Sequence, residues 1–152
     1  MAVHGLVIDD PKLNFSSSHF IVDHDKCERL HGHNYHVKIE LEGALQEDSM
    51  VLDFKVAKDA ARRLCDHLDH RILVPEKSPL LEIEEHGSQL EVKSRDKRYS
   101  FPREDCLLLP IPATTAEELA GHIYRELKKR LPQIKKVYVA ESEGSVAYYS
   151  EG

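Results

Sequence analysis

No run of apolar residues in this chain approaches the roughly 20 that a helix needs to cross a bilayer, and the start lacks the basic-then-apolar pattern of a secretory leader. Cysteine is scarce. The three present are an odd number without the spacing of a disulfide framework, which points to a reducing compartment and an expected cytoplasmic location. Basic excess is absent too: 21 Lys and Arg face 27 Asp and Glu, for a net charge of −6. That balance excludes a broad nucleic-acid or anionic-membrane surface, so a small anionic substrate would need a local cluster of basic residues. There is no internal repeat and no low-complexity linker. The 152 residues therefore read as one domain, 1–152, long enough to bury a core without staples.

What is present is a clear sequence of periodicities. Residues 3–22 carry two apolar patches and read as extended, 23–29 as a polar loop, and 31–43 as a strand, because Tyr35, Val37, Ile39 and Leu41 alternate with Asn34, His36, Lys38 and Glu40. Phe54, Ala57, Ala61, Leu64 and Leu68 recur at helical steps, with Asp53 placed to cap the first turn. Residues 80–101 predict a hairpin turning at Gly87–Ser88, charged on its faces and so a surface elaboration. A second helix is expected from Thr114, with Glu117 completing a capping box, an apolar stripe through Leu119, Ala120, Ile123, Tyr124 and Leu127, and Pro132 as its stop. Val137, Val139 and Glu141 then share a strand face, Gly144 turns the chain, and Val146 to Tyr149 form a last strand. Strands grouped at both ends of a short chain predict an α+β domain, an antiparallel sheet with two helices on one face. Its open edges predict association with further copies.

The chemistry concentrates in fifteen positions, where His19, Cys27, His31 and His33 fall together. A strand's period of two puts His31 and His33 on one face. With His19 from the preceding segment they offer three nitrogen ligands to Zn²⁺ and leave a fourth position open, the catalytic rather than the closed structural arrangement. Cys27, four residues before His31, is within reach of a substrate beside the metal. The alternative is that Cys27 closes the site as a fourth, structural ligand. Cys65 and Cys106 read as packing residues.

The motifs Phe15-Ser-x-x-His19, Cys27-x-x-x-His31-Gly-His33-Asn-Tyr35, Met50-Val-x-Asp53-Phe54, Leu68-Asp69-His70, Thr115-Ala-Glu117-x-Leu119-Ala and Val139-x-Glu141 resemble, in order, those of the 6-pyruvoyl-tetrahydropterin synthase family. The resemblance spans the chain except about residues 75–108. It implies a tunnelling fold: a four-stranded antiparallel sheet with helices on one face, joining into a barrel as a trimer or a dimer of trimers, here with residues 80–101 inserted. It implies Zn²⁺ on His19, His31 and His33, with Cys27 as base and Asp69 with His70 as a second proton-handling pair. Glu141 would anchor the pterin, with sites at subunit interfaces.

The implied substrate is a pterin triphosphate, 7,8-dihydroneopterin triphosphate. The three-residue gap between Cys27 and His31 is that of the branch forming 6-carboxy-5,6,7,8-tetrahydropterin with release of acetaldehyde and triphosphate; triphosphate elimination to the 6-pyruvoyl product is the alternative. A non-catalytic zinc-stabilised assembly module is the rival from another class. Thr115 is expected to offer a hydroxyl to the ring, and Thr114 to share that role or only cap the helix. Lys26, Arg29 and Arg71 could meet the triphosphate, although solvated charge is the more frequent explanation for such residues.

Overall fold

The long strand β3 (His31–Gly43) is the spine on which everything else is laid. The computed structural model describes residues 2–22 and 24–152, so Asp23 of the polar loop, with the side chains of Asp25 and Lys26, lies outside the described residues. Along one side of β3, β2 (Asn14–His19) pairs with its first half and β1 (His4–Ile8) with its second. Along the other side runs β9 (Ile134–Ser142), which in turn pairs with β10 (Ser145–Ser150). All four pairings are antiparallel, as expected. The chain between β1 and β2 bulges out, and the carbonyl of Leu13 accepts the Val37 amide at 2.8 Å to keep the ladder closed.

The sheet does not stop at antiparallel strands. β4 (Arg71–Pro75) joins β2 in parallel and β8 (Cys106–Leu109) joins β4 in parallel, giving a seven-stranded mixed sheet ordered β10-β9-β3-β2-β4-β8 with β1 alongside β3. The four-stranded antiparallel expectation was too small. Ile72 to Val74 and Leu107 to Leu109 are continuous apolar runs, the pattern of buried parallel strands, and show no alternation to mark them.

Both helices lie on one face. α1 (Phe54–Leu68) and α2 (Ala116–Lys128) pack their apolar stripes into a single core with Tyr35, Val37, Ile39 and Leu41 of β3 and Val137 and Val139 of β9. Asp53 caps α1 as predicted, its carboxylate accepting from the Lys55 amide at 2.8 Å. Phe54 departs from its stripe and is exposed. The cap of α2 is shifted by one from expectation: Thr115 accepts from the Glu118 amide at 3.2 Å, and Thr114 lies outside the helix. Phe15 stacks on Tyr35 at 4.7 Å between ring centroids beneath the helices. Truncating such a buried ring to Ala costs about 3–5 kcal/mol.

The inserted segment is a three-stranded meander rather than a hairpin: β5 (Glu82–His86), β6 (Gln89–Ser94) and β7 (Lys97–Pro102). Its first turn is at Gly87–Ser88 as predicted, with Gly87 in the left-handed region at φ 62°, where a glycine has no Cβ to clash. Nor is it purely a surface elaboration. Leu90, Val92 and Phe101 are buried against Phe20, Val74 and Cys106, forming a second small core at the end of β2.

Candidate metal centre and catalytic cavity

Pairing register, more than sequence proximity, builds the centre. His19 ends β2 directly opposite His31, the first residue of β3, and His33 follows on the same face of β3. The three rings pack edge to face, with centroids 4.7 Å apart for His19 and His31, 4.9 Å for His31 and His33, and 5.1 Å for His19 and His33. One ring nitrogen of each lies within 4.8 Å of the others.

Main-chain acceptors orient two of the rings. His19 Nδ1 donates to the Thr114 carbonyl at 2.9 Å, and His31 Nδ1 donates to the Arg29 carbonyl at 2.6 Å. A carbonyl can only accept, so both imidazoles carry a proton on Nδ1, which leaves Nε2 as the atom available to a metal. This is the usual outer-shell arrangement of metal-bound histidine. His19 is 1% exposed, and burial pulls its pKa down to about 4, with the Thr114 carbonyl opposing and the other two histidines adding to the fall. It is held neutral, as a ligand must be. The donor set therefore fits a Zn²⁺ ion through His19, His31 and His33.

A cavity of about 520 Å³ opens above this cluster, and Cys27, Thr115 and Glu141 line it together with the three histidines. Cys27 stands in a short 3₁₀ turn, Asp25–Glu28, tied down at both ends of its peptide unit. Its amide donates to the His24 carbonyl at 2.9 Å, and its carbonyl accepts from the Ile21 amide at 2.8 Å. The thiol is partly accessible, whereas Cys65 and Cys106 are buried, their thiols pushed up by burial, that of Cys65 to about 12. The packing role expected for those two holds.

Glu141 owes its placement to a β-bulge. Ser145 pairs with Ser142 and Val146 with Ala140, so Glu141 is the unpaired extra residue of β9. A bulge of this kind re-aims one side chain while the flanking ladder continues. Val137 and Val139, on the same face, are fully buried, and only Glu141 reaches the cavity.

Tyr35, readable from the sequence only as core, also belongs here. It is next but one to His33 on the same strand face, and its hydroxyl lies 3.3 Å from the His19 ring. Burial, with the charge of Glu141 adding to it, pushes its phenol well up. Of the two threonines, Thr115 lines the cavity while its hydroxyl caps α2. Thr114 instead buries an Oγ1 without a hydrogen-bond partner among the described residues and meets His19 through its carbonyl.

Asp69 and His70 are not in this cavity. They sit at the exit of α1, where Asp69 turns extended and His70 adopts the left-handed region at φ 59°, a costly place for a non-glycine residue. Asp69 holds the pair in shape: its Oδ1 accepts from the Ser16 amide at 2.7 Å and its Oδ2 meets His70 Nδ1 at 2.8 Å. The Ser16 amide, then His70, keep the Asp69 carboxyl below its usual range. The His70 side chain is 82% exposed and borders a separate cleft of about 440 Å³ with Ser16, Ser18 and Asn34. His33 lines both spaces. Among the basic candidates, Arg71 donates to the Cys106 carbonyl and so serves the fold, while Arg29 is exposed.

Residues 11–152 match the family model described as 6-pyruvoyl tetrahydropterin synthase. A Methanocaldococcus jannaschii protein provisionally named 6-carboxy-5,6,7,8-tetrahydropterin synthase is 40% identical over 123 residues, which cover 80% of this chain and 76% of that protein. The 6-carboxy-5,6,7,8-tetrahydropterin synthase of Aquifex aeolicus is 31% identical over 140 residues, covering 84% of this chain and 77% of its own length. The crystal structure of 6-pyruvoyl tetrahydropterin synthase from Plasmodium vivax superposes with a TM-score of 0.92 at 31% identity, covering 100% of this chain and 99% of that one. Motif order, histidine centre and fold agree, and the chain belongs to the 6-pyruvoyl tetrahydropterin synthase family.

Proposed function

We propose that this protein is a zinc-dependent lyase that converts 7,8-dihydroneopterin triphosphate to 6-carboxy-5,6,7,8-tetrahydropterin, releasing acetaldehyde and triphosphate and, by atom balance, consuming one water. The observation that carries this reading is the convergence of His19, His31 and His33 with Cys27 and Glu141 on one cavity. A zinc ion on the three imidazoles would polarise the hydroxyls of the substrate side chain and make them more acidic.

The remaining work falls to the protein's own groups. Glu141 accepts from the ring N3–H and the 2-amino group, a two-donor edge matched to a carboxylate, and so fixes the ring. Cys27, on the same cavity as the three histidines, takes a proton from the side chain of the substrate. His70, oriented by Asp69, handles the opposite proton transfer. Asp69 and His70 act in the site of a neighbouring copy within a trimer or dimer of trimers, a reading supported by His70 bordering a different cleft of this chain. Thr115 offers its hydroxyl proton to the ring while its oxygen caps α2.

The pyruvoyl-forming reaction is the second reading, supported by the close superposition on the Plasmodium vivax enzyme. The three-residue gap between Cys27 and His31 and the names of the relatives in Methanocaldococcus and Aquifex favour the first. Mass spectrometry of the products from 7,8-dihydroneopterin triphosphate decides. A 6-carboxy pterin with stoichiometric acetaldehyde supports the lyase, a three-carbon side chain supports elimination only, and unaltered substrate rejects both.

A further inference from the structure

Two faces of the inserted meander differ sharply. Outward lie Glu84, Glu91, Arg98 and Ser100; inward, β7 presents Lys97, Tyr99 and Phe101 at alternate positions. Tyr99 stacks between Phe20, at 4.9 Å and 19°, and Phe101, at 5.4 Å and 15°. Phe20 is 2% exposed and follows His19 directly. Two residues along β7, Lys97 Nζ lies 3.7 Å from Glu28 Oε1, and Glu28 follows Cys27. One strand therefore touches both segments that flank the cavity: the end of β2 that carries His19, and the 3₁₀ turn that carries Cys27. These segments are also joined to each other through the Ile21 amide and the Cys27 carbonyl.

From this geometry we infer that Lys97 and Tyr99 are positioning residues, holding the Cys27 turn over the histidine centre. The inference rests on the lyase reading for its activity arm. A 3₁₀ turn of four residues has little stability of its own, and its place must come from what packs on it. Phe20 anchors one end through the aromatic stack. Glu28 anchors the other through its ion pair with Lys97, and the partial burial of the Glu28 side chain, 18% exposed, shields that pair from water on one side. Tyr99 feels that carboxylate: burial first, then the charge of Glu28, raise its phenol. The meander thus restrains the thiol without touching substrate.

The test compares Lys97→Met, Tyr99→Ala and Tyr99→Phe with the wild-type zinc enzyme in two measurements. The first is the iodoacetamide rate of Cys27 at about pH 10, above the ordinary thiol pKa of ~8.5, where the rate reports access rather than ionisation. The buried Cys65 and Cys106 leave Cys27 as the reactive thiol. The second is kcat and KM with zinc content checked. Lys97→Met and Tyr99→Ala are expected to raise the alkylation rate severalfold and to lower kcat about tenfold or more, since ~1 Å of misplacement can cost about a hundredfold and these variants loosen the turn by less. KM and zinc content should hold, and Tyr99→Phe should behave as wild type.

Lys97→Met is the variant least able to disturb the fold, because its side chain is 41% exposed. Wild-type alkylation in both Lys97→Met and Tyr99→Ala overturns the inference, whatever happens to kcat. If the wild-type enzyme itself leaves 7,8-dihydroneopterin triphosphate unchanged, the lyase reading fails, and the alkylation arm still decides positioning.

Discussion

His19 and Thr114 are joined across 95 residues by a 2.9 Å hydrogen bond from the imidazole Nδ1 to the main-chain carbonyl. That bond couples the metal centre to the entrance of α2, one residue before the Thr115 cap. It fixes a tautomer through an atom no side-chain substitution removes. Zinc binding is accordingly expected at one ion per chain through nitrogen alone. His31→Ala should abolish it, and Cys27→Ala should leave it intact while eliminating turnover. Metal analysis with X-ray absorption checks both; a sulfur ligand at ~2.3 Å would mark a closed structural site instead.

Acid should weaken the metal-free protein by a specific route. Burial lowers the pKa of His19 to about 4 and lowers that of His122 as well. The unfolded chain takes up protons on these groups near 6.5, whereas the folded chain resists until lower pH. Their contribution to stability is therefore complete above about pH 6.5 and is lost as pH falls towards the folded values. Urea midpoints of the metal-free protein should drop between pH 7 and pH 5. His122→Leu should flatten that dependence in part, since one of the two groups is gone. A midpoint independent of pH in this window would contradict the assignment.

The expected sharing of the active site can be tested by complementation. Cys27→Ala and His70→Ala chains, inactive apart, should recover activity after subunit exchange, because Cys27 and His70 border different cavities of one chain. Failure to recover in demonstrated mixed assemblies would mean that each chain completes its own site.

Alternation was enough to place His31 and His33 on one face and to predict β3, β9 and β10, since burial on one side writes a period of two directly into residue type. Both helices were legible for the same reason. β4 and β8 were not, because strands covered on both faces lose their polar half. The third strand of the meander was missed where its turn, with Arg95 at φ 54°, carries no glycine. In the site, the clustering of His19, His31 and His33 came from side chains and was readable. The orienting carbonyls of Arg29 and Thr114 were not, for every residue has one. The one-residue error at the α2 cap has a similar origin: Thr114 and Thr115 are chemically alike, and only the chain path decides which of them caps.

Glu141 offers the sharpest separation of function from structure. It is the bulged residue of β9, half-buried beyond two fully buried valines, and its carboxylate faces the cavity. A carboxylate so placed is costly unless fixed donors meet it, and the edge of a bound pterin would supply two. Glu141→Gln keeps the shape but turns one acceptor into an NH₂ donor that would face a donor on the ring. Pterin affinity should fall by roughly 2–4 kcal/mol, combining a lost charge-assisted bond with a new unpaired donor. Without ligand the variant should melt no lower than wild type, because neutralising the carboxylate removes a desolvation cost and also the charge that presses on Tyr35. Titration calorimetry with a pterin and a melting curve read the two effects independently. Unchanged affinity with a marked loss of stability would make Glu141 a structural carboxylate, held by the protein rather than kept for the substrate.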